Sequence, residues 1–140
     1  MAVATRPPHL VQRSADDAWA RRKQGYVRWL AEPDAFVLLA ERRGRPVGYA
    51  VVHVVDGWQS WETGDRIGEL QTLTLLPDER GEGIGTLLME AIEHELLRLG
   101  IGDLVVAVAA GNDGAQRFYE RRGFTTRLNV LLGPISRGSG

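Results

Sequence analysis

The chain has no cysteine, one lysine against sixteen arginines, and a formal net charge of only -1. Without cysteine there is no disulfide, no thiolate metal site and no thiol nucleophile, which fits a reducing compartment. Near-neutral charge leaves no global field to recruit nucleic acid or an anionic membrane surface, so any anion site must be local. No apolar run approaches the roughly 20 residues that cross a bilayer, and the N-terminal "MAVATRPPHLVQR" lacks the apolar core of a signal peptide. The expectation is a cytoplasmic protein with no membrane or nucleic-acid partner. His9, His53 and His94 are too scattered to suggest a metal centre.

What is present is the composition of one ordinary domain: 140 residues, 44% hydrophobic and 25% charged. A single domain over residues 1–140 is expected, with 1–13 and 133–140 as loose ends. From Ser14, an N-cap candidate followed by Asp16 and Asp17, the residues Ala18, Trp19, Arg22, Tyr26, Trp29 and Leu30 recur at spacings of three or four, giving one helix or two broken near Gly25. The runs "AFVLLAE" (35–41) and "PVGYAVVHVV" (46–55) read as antiparallel strands joined by a glycine-bearing turn. A polar loop with Trp58 and Trp61 follows, then a strand "GELQTLTLL" (68–76) ended by Pro77.

Leu87, Leu88, Ala91, Ile92, Glu95, Leu96 and Leu99 mark a long amphipathic helix closed by Gly100. "DLVVAVAA" (103–110) is the pattern of a strand buried on both faces, a short helix spans about 113–122, and "FTTRLNVLL" (124–132) supplies a last strand. The β-helix-β crossover from 68–76 to 103–110 makes that pair parallel, while the earlier strands form a meander. The fold class is therefore α/β, a mixed, mostly antiparallel sheet with helices on its faces.

Between strand 68–76 and the long helix stands "RGEGIG" (80–85), with three glycines where one would make a turn. Amides 81 to 86 can converge on an anion at the positive end of the helix dipole, glycine allowing an approach that a side chain would block. A P-loop is excluded because no lysine stands here, and Gly81-x-Gly83-x-x-Thr86 misses the third glycine of the dinucleotide fingerprint. A plain glycine-rich turn is the alternative.

The spacing Arg80-x-x-Gly83-x-Gly85, together with "NDGAQRFYERRGF" (112–124), resembles the two signatures of the GNAT superfamily of acyl-CoA-dependent N-acyltransferases, over roughly residues 36–132. The resemblance implies a GNAT fold whose central parallel strands splay apart to admit the pantetheine arm. It implies acetyl-CoA as co-substrate and no metal. Arg80, Gly81, Glu82, Gly83, Ile84, Gly85 and Thr86 would wrap the pyrophosphate, and Leu73, Thr74 and Leu75 would line the arm, with the Leu73 amide receiving the thioester carbonyl oxygen. Asn112 and Phe118 would complete the cofactor site. Glu82 departs from the family, where this position is often basic.

Acetyl transfer to an amine needs a base for an ammonium near pKa 10 and an acid for the leaving thiolate. Glu69 matches the position of the catalytic glutamate in the histone-acetylating branch of the family; the alternative is a strand-end carboxylate paired with Arg66. Gln71, on the same face, can hold a water or the substrate. Tyr119 matches the tyrosine that protonates the coenzyme A sulfur in many members; the alternative is plain packing. The resemblance implies that acceptor selectivity sits in the first helix region and the loop before the central strand, which makes Trp29, Trp58, Trp61, Glu62 and Asp65 the candidates; aromatic faces and carboxylates suit a cationic amine, although tryptophans also anchor loops. His53 reads as an ordinary strand residue. Only a weak "HLVQR" precedes the first helix, and one strand follows "GF" where many members have two, which leaves room for a homodimer to complete the acceptor site. The expected function is N-acetylation of a primary amine of a small molecule or peptide, the alternative a non-catalytic acyl-CoA sensor on the same fold.

Overall fold

The computed structural model describes residues 13–81 and 83–135. Contacts gather residues 20–107 into one compact unit and the segments up to Trp19 and from Val108 into another. Helix α1 (Ala15–Leu30) is continuous through Gly25 and begins, as its sequence suggests, at Ser14, whose Oγ accepts the Asp17 amide at 3.2 Å.

The larger unit is built on a four-stranded sheet in the order β1 (Phe36–Arg42), β2 (Arg45–Asp56), β3 (Arg66–Leu75), β4 (Leu104–Val106). β1–β2 and β2–β3 are antiparallel and β3–β4 is parallel, which bears out the meander and the crossover. Helix α2 (Ile84–Arg98) carries the crossover and ends at Gly100 with φ 79°.

Successive side chains of a strand point to opposite faces, and β3 shows what each face meets. A side chain at Gly68 would lie 2.7 Å from Leu96 Cδ1 of α2, so glycine here allows the helix to lie close on the sheet. Glu69, the next residue, faces the opposite way, toward His53 and the C-terminal half of α1, where Tyr26 hydrogen-bonds Thr72. The core between α2 and the sheet includes Val52, Met89 and Ile92, all fully buried, and Ile84, Leu88 and Val47 form a cluster under the start of α2.

Three expectations need correction. The buried stripe of α2 is Ile84, Gly85, Leu88, Met89, Ile92 and Leu96, while Leu87 is 63% exposed; the sequence periodicity fits a stripe rotated by one residue, and Met89 belongs to the core. β4 is three residues long and not eight, since its pairing ends at Leu70↔Val106. Residues 124–132 form no strand: their backbone is irregular and Leu128, Val130, Leu131 and Leu132 are exposed. Strand propensity is weak where no cross-strand neighbour covers the side chains. The parallel pair therefore lies at one end of the sheet.

In the smaller unit, α3 (Asp113–Arg121) is capped by Asn112, whose side chain accepts the Ala115 amide at 3.2 Å.

Replacing Ile92 by Ala should cost about 2–5 kcal/mol of unfolding free energy, whereas Leu87→Ala should stay within about 0.5 kcal/mol. Urea denaturation of the two variants checks the rotated stripe.

Candidate active site

β3 outlasts its parallel partner. After Leu70↔Val106 it continues through Gln71–Leu75, still paired with β2, and no strand pairs with its other edge among the described residues. Which backbone groups face that edge follows from one hydrogen bond. The Leu76 amide donates to Val47 O at 2.9 Å, so Leu76, Thr74 and Thr72 point toward β2, and Leu75 and Leu73 point away from it. At Gln71 the strand bulges, because Thr72 faces Val51 and Leu70 already faces Val52. The bulge resets the alternation, so Gly68 again turns to the β4 side, its amide donating to Asp103 O at 2.9 Å.

The open edge runs into the glycine loop. A 3-10 turn at Pro77–Glu79 leads to Arg80 in extended conformation, and Gly81 and Gly83 adopt φ 83° and 78°, a left-handed backbone disfavoured for residues with a Cβ. Gly83 is the N-cap of α2 and offers no side-chain acceptor. Leu87 N–H bonds Gly83 O at 3.1 Å, and the amides of Ile84, Gly85 and Thr86, in the first turn of α2, have no hydrogen-bond partner among the described residues. Glu82 lies outside the described residues.

On the α1 face, four polar side chains meet. His53 and Glu69 are cross-strand partners; His53 Nε2 lies 2.9 Å from Glu69 Oε1 and Nδ1 lies 3.3 Å from Glu32 Oε2, in the loop after α1. The Gln71 amide nitrogen is 2.8 Å from His53 Nε2 and also hydrogen-bonds Glu69 Oε1. Trp29 stacks on the imidazole with ring centroids 5.1 Å apart, and Tyr26 packs on Trp29 at 5.7 Å. Arg66 pairs with Asp34, not with Glu69.

Of the residues expected at the acceptor site, Trp29 and Gln71 join Glu69 here. The side-chain hydrogen bonds and ring contacts of Trp29, Glu32, His53, Glu69 and Gln71 run among these residues and to Tyr26, and Trp58 and Glu62 are not among their partners. Trp58, Trp61, Glu62 and Asp65 belong to a loop closed on itself by Gly57 N–H to Asp65 O at 2.7 Å and Trp58 N–H to Thr63 Oγ1 at 3.1 Å. Sequence reasoning missed Glu32, and it took His53 for a plain strand residue. His53 was within reach, because it directly opposes Glu69 once the hairpin register is known; nothing in the sequence marks Glu32.

In the smaller unit Tyr119 is buried, edge-on to Phe118 at 5.1 Å and to Phe124 at 5.5 Å. Burial raises its phenol above the ordinary tyrosine range, so it holds its proton through neutral pH. Tyr26 is also raised, chiefly by burial, with its Thr72 hydrogen bond opposing.

The profile of the acetyltransferase (GNAT) family matches residues 4–124. The chain belongs to the GNAT acetyltransferase family. An uncharacterized N-acetyltransferase of Archaeoglobus fulgidus is 35% identical over 130 residues, covering 89% of this chain and 81% of the relative. A mycothiol acetyltransferase of Streptomyces coelicolor is 32% identical over 123 residues, 88% of this chain but 35% of that protein, so the chain spans about a third of that relative. Among solved structures, aminoglycoside N-acetyltransferase AAC(6')-Iy in complex with CoA shares the fold with TM-score 0.69 at 17% identity, over 87% of this chain and 92% of the other. No helix among the described residues is long and apolar enough to cross a membrane, and they contain no group of three potential metal ligands.

Tyr119 binds its proton more tightly folded than unfolded, so its contribution to stability is complete below the ordinary tyrosine value of about 10 and is lost as pH rises through the raised folded value. Tyr119→Phe should therefore lose less stability than the parent between neutral and strongly alkaline pH, a comparison that urea midpoints at the two pH values will read. Tyr26, present in both proteins, cancels.

Proposed function

We propose that the chain is an N-acetyltransferase that moves the acetyl group of acetyl-CoA to a primary amine of a small molecule or peptide by direct attack, residues 1–140 acting as one catalytic domain. The observation that carries this reading is the unpaired edge of β3 leading into the free amides of α2. A pantetheine arm laid along that edge would find the N–H and C=O groups of Leu73 and Leu75, as a missing strand would. Its pyrophosphate would then reach Ile84, Gly85 and Thr86 through the left-handed turns at Gly81 and Gly83, with Arg80 adding charge. The CoA-loaded aminoglycoside acetyltransferase of the same fold supports acetyl-CoA as co-substrate.

The chemistry is balanced by two groups. The amine nitrogen attacks the thioester carbon, the C–S bond breaks, the amine proton passes to Glu69, and the thiolate takes a proton from an acid, the role that the family resemblance gives to Tyr119. Glu69 suits the first role because its side chain is 38% exposed and reachable. Tyr119 suits the second because burial keeps it protonated. Trp29, in ring contact with His53 of the same cluster, adds aromatic surface suited to a cationic acceptor. Aminoglycosides and the amine substrates of mycothiol acetyltransferases are the first acceptor classes to try, given the relatives.

A thiol-release assay with acetyl-CoA and a panel of aminoglycosides, polyamines, amino acids and peptide N-termini tests this. Turnover that falls roughly 100-fold in Tyr119→Phe is expected. Coenzyme A binding without turnover on any amine would replace the enzyme by an acyl-CoA sensor. Gly83→Val should weaken coenzyme A binding at least about tenfold by calorimetry, because valine resists the left-handed N-cap and crowds the anion. Undiminished affinity would remove the phosphate seat.

A further inference from the structure

His53 is 6% exposed, yet its ring bridges two acids that reach solvent, with Glu32 and Glu69 side chains 43% and 38% exposed. The hydrogen-bond donors and acceptors around it decide where the ring proton sits. An ionised carboxylate only accepts, and Glu32 Oε2 is the polar neighbour of Nδ1 at 3.3 Å, so Nδ1 must donate. Nε2 has Glu69 Oε1 at 2.9 Å and the Gln71 amide nitrogen at 2.8 Å. Because that nitrogen also bonds Glu69 Oε1, its two hydrogens divide between the carboxylate and the ring, and Nε2 accepts. Either tautomer sets one bare ring nitrogen against a carboxylate, and only at Nε2 does a donor, the Gln71 amide, bond both the ring nitrogen and the acid beside it; Nδ1 and Glu32 have no such donor between them.

We infer that Glu32, His53 and Glu69 form one proton-accepting unit, in which His53 and Glu32 are positioning residues for the base. This rests on the acetyltransferase reading above. Glu69 takes the amine proton, breaking the N–H bond. The bare Nε2, 2.9 Å away, then shares or takes that proton as the Glu69 O–H bond gives way to Nε2–H. The resulting imidazolium lies between two carboxylates, donating through Nδ1 to Glu32 and through Nε2 to Glu69. When product leaves, the proton returns through Glu69 to water and the ring recovers its starting tautomer. Glu32 fixes the tautomer and supplies the counter-charge, the part a buried aspartate plays for a catalytic histidine. Trp29 packs against the ring, and Gln71, placed by the bulge, keeps Nε2 and Glu69 satisfied while the proton is absent.

Two measurements test this. Nitrogen-detected NMR of the three histidine rings at neutral pH, with His53 assigned from His53→Gln, should show His53 protonated on Nδ1 and bare on Nε2, with that preference weakened in Glu32→Gln. A ring protonated on Nε2, whether there alone or on both nitrogens, would overturn the inference, because it could only donate to Glu69. With an amine that turns over, His53→Gln and Glu32→Gln should each lower kcat roughly 10- to 100-fold, leave the acetyl-CoA KM within about twofold, and Glu32→Asp should recover part of the loss. Loss of kcat in Glu69→Gln with none in His53→Gln would sink the inference and leave the acetyltransferase standing. Full kcat in Glu69→Gln would instead remove the base from that reading.

Discussion

The structure turns on the place where β3 loses one of its two neighbours. A parallel strand in the interior of a sheet has both edges bonded, and an open edge presents backbone groups that need partners. Here β4 stops at Val106 and β3 continues for five residues with β2 alone beside it among the described residues. Everything assigned to the cofactor follows from that: Leu73 and Leu75 turn outward because Leu76 is bonded to Val47, and the same strand delivers the chain to Gly81, Gly83 and the free amides of α2. An extended thioester with a diphosphate at its far end matches that order of donors.

The second consequence of β3 lies on its other face. The bulge that resets its alternation at Gln71 sets that side chain beside Glu69 and opposite His53, while Glu32 closes the ring from the loop after α1. A buried imidazole needs both nitrogens satisfied, and the cluster does this with two acceptors and one two-handed donor. One irregularity in one strand thus separates the open edge from the carboxylate–imidazole cluster.

Much of this was legible in the sequence because it depends on local pattern. The β-helix-β order, the cap at Ser14, the helix end at Gly100 and the glycines before α2 are short-range signals, and the structure agrees with each. The "DLVVAVAA" run is apolar throughout, so nothing in it shows that pairing will stop after Val106. "FTTRLNVLL" has strand composition, but a strand is defined by a partner, and composition does not supply one. The α2 stripe was read one residue out of phase because Leu87 and Leu88 are equally apolar, and packing alone sends one to solvent. In the site, Glu69 stands out through the family resemblance and Gln71 through sharing its face of the strand, His53 is visible without its partners, and nothing in the sequence marks Glu32, whose place depends on how the loop after α1 returns to the sheet.

The most direct measurement is amide hydrogen exchange with and without saturating coenzyme A. Exchange should slow at Leu73 and Leu75 on the open edge and at Ile84, Gly85 and Thr86 in the first turn of α2, while Thr72 and Thr74, already bonded to β2, keep their rates. Unchanged exchange at Leu73 and Leu75 in the coenzyme A complex, or protection confined to surfaces away from this edge, would contradict the claim that β3 takes the cofactor in place of a strand.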